Sequence, residues 1–169
     1  MDQKYQSLIR LFAIGKLGKK DFVSEYFEGK TPESTHFLES LESAIKEKNV
    51  ELIEKNLALI SIIGFDEKIF IKQLCELLQE DWHYSHEVIA MGLKEIKDPS
   101  TVDCLYSSSE KQFEYLDYDD TFQFARKCIK ALSEIADENA IDKLFKLAES
   151  NNYIIAEYAK KELRYKGRL

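Results

Sequence analysis

Apolar residues recur at spacings of three and four along almost the whole chain, the signature of amphipathic helices. Tyr5, Leu8, Ile9 and Phe12 form one stripe, and Phe22, Val23, Tyr26 and Phe27 a shorter second one. "GKTPES" breaks the pattern, with Thr31 expected as N-cap and Pro32 at the first helical position. Phe37, Leu38, Leu41, Ala44 and Ile45 resume it. Asn49 then separates that helix from one predicted over Val50 to Ile63, stopped by Gly64. Ile69, Phe70, Leu74, Leu77 and Leu78 mark a fifth helix. No alternating run is long enough to predict a strand.

The second half contains an internal repeat. "LKEIKDPSTVDCLY" begins at Leu93 and "LSEIADENAIDKLF" at Leu132, an offset of 39 residues. Leu93/Leu132, Glu95/Glu134, Ile96/Ile135, Asp98/Asp137, Asp103/Asp142 and Leu105/Leu144 are identical pairs. A weaker third copy starts at Leu41. Leu93 and Ile96 end one helix, Asp98 can cap the next with Pro99 at its first position, and Val102 and Leu105 face back. Such a hairpin cannot bury its apolar face alone, and stacked copies of about 40 residues signal an α-solenoid. The expectation is an all-α right-handed α-solenoid of nine or ten helices. It forms a single domain over 1–169, with divergent helices over 1–81 and the well-formed repeats over 82–169.

Composition narrows the function. With 169 residues, 44% hydrophobic and 33% charged, the chain suits one globular domain. Two prolines and six glycines favour long helices over a turn-rich β fold. The longest apolar stretch, Leu57 to Phe65, is too short for a membrane span, which needs about 20 residues. Arg10 interrupts the first apolar segment and no small-residue cleavage site follows, so no signal peptide is expected and cytoplasm is the expected compartment. Cys75, Cys104 and Cys128 are odd in number and far apart, which predicts buried free thiols. The net charge of -7 argues against nucleic acid as a partner. That charge is uneven, because "EKQFEYLDYDD" (Glu110 to Asp120) alone holds five acids and one base.

The pattern Ala/Gly-Leu-x-x-Ile-x-Asp-x-x-x-Val/Ile resembles HEAT-like repeats. Ala131, Leu132, Ile135, Asp137, Ala140 and Ile141 carry it, as do Gly92, Leu93, Ile96, Asp98, Pro99 and Val102. The segment from Trp82 to Leu163 is similar to small stand-alone bacterial HEAT-like proteins, a group that includes immunity partners of polymorphic toxins. The resemblance implies a protein-binding role, with function resting on surface residues rather than on the fold.

Candidate chemistry concentrates in two places. "DWHYSHEV" (Asp81 to Val88) holds two of the three histidines. His86-Glu87 resembles one of the His-Glu pairs of HEAT-like di-iron hydroxylases, but such a site needs several pairs. The repeat offset places Ala125 and Arg126 where a second pair would stand. His83 and His86 could supply two zinc ligands, with Asp81 or a remote carboxylate as a third. Against both stands packing: His86 shares a helix face with Ile89, Leu93 and Ile96, Ser85 is a good N-cap, and His83 and Tyr84 read as surface groups. "LDYDDTF" (Leu116 to Phe122) imitates the haloacid-dehalogenase nucleophile loop without its βα context. It also fails the EF-hand pattern, with Phe122 and Cys128 where Gly and Glu are required. Its acids and aromatics read either as a capped loop, Asp120 or Thr121 serving the next helix, or as a contact patch for a basic protein. No catalytic triad, phosphate loop or paired-carboxylate motif is evident, so no enzyme and no cofactor are expected. The expected role is an immunity protein that occludes a toxin, a nuclease first, with a general HEAT-type adaptor and a metalloenzyme at His83 and His86 as alternatives. The expected partner-binding residues are Glu114, Tyr115, Asp117, Tyr118, Asp119 and Asp120, then Trp82, His83, Tyr84 and His86.

Overall fold

A computed structural model describes residues 3–169. It contains ten α-helices and no strand among the described residues. The chain divides into two compact units, 1–67 and 68–169.

The first unit holds α1 (Gln3–Ala13), α2 (Lys19–Tyr26), α3 (Ser34–Glu47) and α4 (Val50–Ile63). Tyr5, Leu8, Phe22, Phe37, Leu41, Ala44 and Ile53 are buried, which are the positions the helical spacing points inward. α4 has the limits predicted for it: Asn49 Oδ1 accepts from Leu52 N at 3.1 Å, and Gly64 ends it at φ 74°. α3 starts later than predicted. Glu33 stays extended (φ -106°, ψ 132°), so Thr31 and Pro32 precede the helix. Its buried stripe begins only at Phe37, so an earlier turn would have nothing apolar to bury.

The second unit holds α5 (Ile71–Leu77), α6 (His86–Ile96), α7 (Val102–Ser109), α8 (Gln123–Ile135), α9 (Glu138–Ala148) and α10 (Tyr153–Tyr165). α8 is central and packs on α6, α7, α9 and α10. The sequence repeat is also a backbone repeat. α6 and α8 both end on a left-handed residue, Lys97 (φ 53°) and Ala136 (φ 55°), whose N–H bonds Leu93 O and Leu132 O. Asp98 then accepts from Ser100 N at 3.0 Å and Asp137 from Ala140 N at 2.7 Å, each capping the next element. Leu93, Leu132, Leu105 and Leu144 are fully buried. Ion pairs join the copies at 2.6 to 2.8 Å: Lys97 to Glu134, Lys127 to Glu87 and Lys143 to Asp103.

One expectation is overturned. Cys75 on α5 and Cys104 on α7 form a disulfide, with Cα atoms 5.6 Å apart and a sequence separation of 29. Only the packing of α5 beside α7 brings the two positions together. Cys128 is free and buried, as the sequence led one to expect for all three. Disulfides persist mainly in oxidising surroundings, so the bridge weakens the basis for a cytoplasmic expectation. No helix among the described residues is long and apolar enough to cross a membrane.

Candidate functional site

The two histidines close the end of a helix. Four consecutive carbonyls, at the end of α5 and in the turn after it, are each reached by a side chain. His83 Nε2 lies 2.8 Å from Leu77 O, and Ser108 Oγ donates to Leu78 O at 3.2 Å. Lys111 Nζ donates to Gln79 O at 2.7 Å, and His86 Nε2 lies 2.7 Å from Glu80 O. Carbonyls at a helix C-terminus have no partner within the helix, so a buried end needs such donors. α5 is short and its end is buried, which makes the requirement acute.

These contacts set the tautomers. A carbonyl only accepts, so each Nε2 carries the proton. Nδ1 is then an acceptor in both rings: in His83 it receives Ser85 N–H at 3.1 Å, and in His86 it receives the Tyr115 hydroxyl at 2.8 Å. Both residues are fully buried, His83 and His86 stack at 4.2 Å, and His86 packs on Phe113 at 3.8 Å. Burial, only partly offset by the Glu80 carbonyl, pushes the His86 pKa down to about 4. Burial and the Glu87 carboxylate push the Tyr115 hydroxyl up to about 12, so it keeps its proton and donates.

Metal donors are not assembled here. The ring nitrogens of both histidines are engaged, and Glu87 pairs with Lys127 at 2.8 Å. No group of three or more His, Cys, Asp or Glu side chains among the described residues is placed to hold an ion. Ser85 occupies the N-cap position of α6 without a side-chain cap bond; its N–H serves His83 instead. His83, read from sequence as a surface group, is enclosed.

The acidic segment rests on this base. Phe113 is buried and Tyr115 half-buried, held by His86, while Glu114, Asp117 and Asp120 are exposed and Tyr118 is 82% exposed. Asp119 differs from its neighbours. Its carboxylate accepts from Thr121 N (3.0 Å), Thr121 Oγ1 (2.5 Å) and Gln123 N (2.6 Å), and the Thr121 hydroxyl foremost lowers its pKa. The start of α8 is therefore secured by Asp119, not by Asp120 or Thr121. Phe122, at φ 52°, turns the chain back so that a residue four positions ahead can reach Gln123 N–H. Tyr158 on α10 donates to Thr121 O at 2.8 Å and closes the far side of the loop. A cavity of about 170 Å³ lies beneath, lined in part by Phe113, Leu116, Asp117, Asp120 and Phe122.

Of the remaining expected contact residues, Trp82 is half-buried with Nε1 donating to Glu80 Oε2 at 2.7 Å, and Tyr84 is 62% exposed, its ring 5.2 Å from that of Tyr115. The structure adds two residues. Val88 and Met91, both on α6, are 62% and 53% exposed. They are three residues apart on α6, away from the buried Ile89 and Leu93, so helical spacing alone could have found a second apolar stripe. It was hidden because the inward stripe already explained the helix.

The chain matches no protein-family model, no curated protein and no solved structure significantly.

Proposed function

We propose that the chain is a non-catalytic protein-binding module of HEAT-like, right-handed α-solenoid type, and that it receives a basic protein on the face formed by the 113–120 loop and α6. One observation carries this reading. The loop is anchored from below by Phe113, Tyr115 and Asp119, while Glu114, Asp117, Tyr118 and Asp120 stand outward. An anchored loop loses little conformational entropy on binding, so its contacts translate more fully into affinity. Exposed tyrosine supplies contact area and outward acids speed the approach of a cationic partner. Tyr84, Val88 and Met91 add an apolar strip beside the charged one. The stack of hairpins is supported by the recurrence of the caps at Lys97/Asp98 and Ala136/Asp137.

In its specific form the reading is an immunity protein: a stoichiometric complex that occludes a cognate toxin, with a nuclease favoured because its phosphate-binding cleft is basic. That step rests on the resemblance to small bacterial HEAT-like proteins. Affinity capture from the native host with mass spectrometry tests it. The expected result is one basic protein at equal stoichiometry, lost on the combined substitution Asp117→Lys, Tyr118→Ala, Asp120→Lys with an unchanged circular dichroism melt. Capture should also weaken steeply between low and physiological salt. A large host assembly insensitive to those substitutions would favour the adaptor reading and sink this one.

A further inference from the structure

The disulfide lies close to the carbonyls that the histidines cap. Cys75 and Cys104 are both half-buried, and their Cα separation of 5.6 Å lies within the range a disulfide spans without backbone movement. The third cysteine is wholly enclosed, and burial raises its pKa, so Cys128 stays an unreactive thiol. Thiol chemistry is thereby confined to the pair. From the pair, contacts run without a gap to the acidic loop. Gln79 Nε2 donates to Cys104 O at 3.2 Å and to Ser108 Oγ at 2.6 Å. Its own carbonyl takes Lys111, the next carbonyl takes His86, and His86 holds Tyr115.

We infer that Cys75 and Cys104 form a reversible thiol–disulfide latch that sets how firmly the end of α5, and through it the 113–120 loop, is held. The oxidant is a low-molecular-weight disulfide. One cysteine thiolate attacks it, forming a mixed disulfide and expelling one small thiolate. The second cysteine thiolate then attacks the protein sulfur of that mixed disulfide and expels the other. The two protons lost by the cysteines end on the two small thiols, so two protein thiols are oxidised and one small disulfide is reduced. Excess dithiol drives the same steps backwards. With the latch closed, α5 cannot drift from α7, and Glu80 O stays over His86. With it open, Leu74, Leu77 and Leu78 still bury α5, so the fold persists while the capped end gains freedom. The latch acts on the order of the loop itself, whatever the loop binds, so it stands or falls apart from the binding reading.

Oxidised glutathione and dithiothreitol, applied to the full chain, are the probes. Native thiol titration should find neither Cys75 nor Cys104 reactive after oxidation and both reactive after reduction, over repeated cycles. Amide exchange by mass spectrometry should rise about tenfold at 77–86 and 113–120 on reduction, with α9 and α10 unchanged. The double variant Cys75→Ser, Cys104→Ser should match the reduced protein and ignore oxidised glutathione. Tyr115→Phe should keep the redox response at 77–86 and weaken it at 113–120, because it removes the hydrogen bond to His86 and leaves the Phe113 contact. Equal exchange at 113–120 in the two redox states of the unmutated chain would overturn the inference. So would loss of protection throughout the second unit on reduction, which would make the bridge a global staple, or failure of the disulfide to re-form.

Discussion

His86 is built into the fold in its neutral form: Nε2–H donates to Glu80 O and Nδ1 accepts from Tyr115. Its pKa of about 4 lies below the ordinary value of 6.5, so the unfolded chain binds the proton first. Stability is therefore complete above about pH 6.5 and falls as pH drops from there toward 4. Allowing for solvent screening, the loss is on the order of 2 kcal/mol. Urea unfolding at pH 7 and pH 5 should show it, and His86→Asn should flatten the difference; an equal slope in that variant would assign the effect elsewhere. Asp119 makes a second residue-level prediction. Asp119→Ala removes three accepted hydrogen bonds at the start of α8 and should cost about 1–2 kcal/mol. Asp120→Ala, at an exposed position, should stay within about 0.5 kcal/mol in the same denaturation assay. Similar losses in both would mean that the loop acids act by summed charge rather than by capping.

At the level of elements, the repeated unit ends its first helix on a non-glycine residue in the left-handed region, twice. Lys97 and Ala136 both carry a Cβ that this conformation disfavours. Ala136 is exposed, so glycine there loses no packing. Ala136→Gly should stabilise the chain by about 0.5–1 kcal/mol, read as a rise of a few degrees in Tm. A fall in Tm would show that the greater freedom of glycine in the unfolded chain outweighs the relief of strain. α5 is the contrasting element. It is only seven residues long, too short to be stable alone. Its end is held by His83, Ser108, Lys111 and His86, all from later in the chain, and by the bridge to α7.

Across the second unit, the acidic loop lies at one end of three helices. α6, α8 and α10 run parallel: His86 meets Tyr115 near the starts, and Lys97 meets Glu134 near the ends. Tyr158 on α10 bonds Thr121 ahead of α8, while Lys161, Glu162 and Tyr165 line a groove with Lys94, Lys130 and Glu134 at the opposite end. The acidic loop thus sits at the N-terminal ends, where acids complement the helix dipoles, while the opposite end carries both signs. The arrangement gives the unit one negative end, and the salt dependence expected of partner capture follows from it. The charge substitutions proposed above leave Asp119 untouched because it belongs to the fold of α8.

The helices were legible in the sequence because their signals are local. Apolar spacing sets each buried stripe, and Asn49, Asp98 and Asp137 cap helices through hydrogen bonds to backbone N–H groups two or three residues on. The 39-residue repeat carries those signals twice, so the hairpin limits could be read before any packing was known. The site was legible only as a list of residues. Whether His86 coordinates, catalyses or caps depends on Glu80 O, Phe113 and Tyr115, two of which lie more than a full helix away in sequence. The same holds for Cys75 and Cys104. Spacing along a chain determines which face of a helix is apolar. Only the packing of distant segments decides which polar groups are enclosed, what they must then bond, and which side chains are left for another molecule.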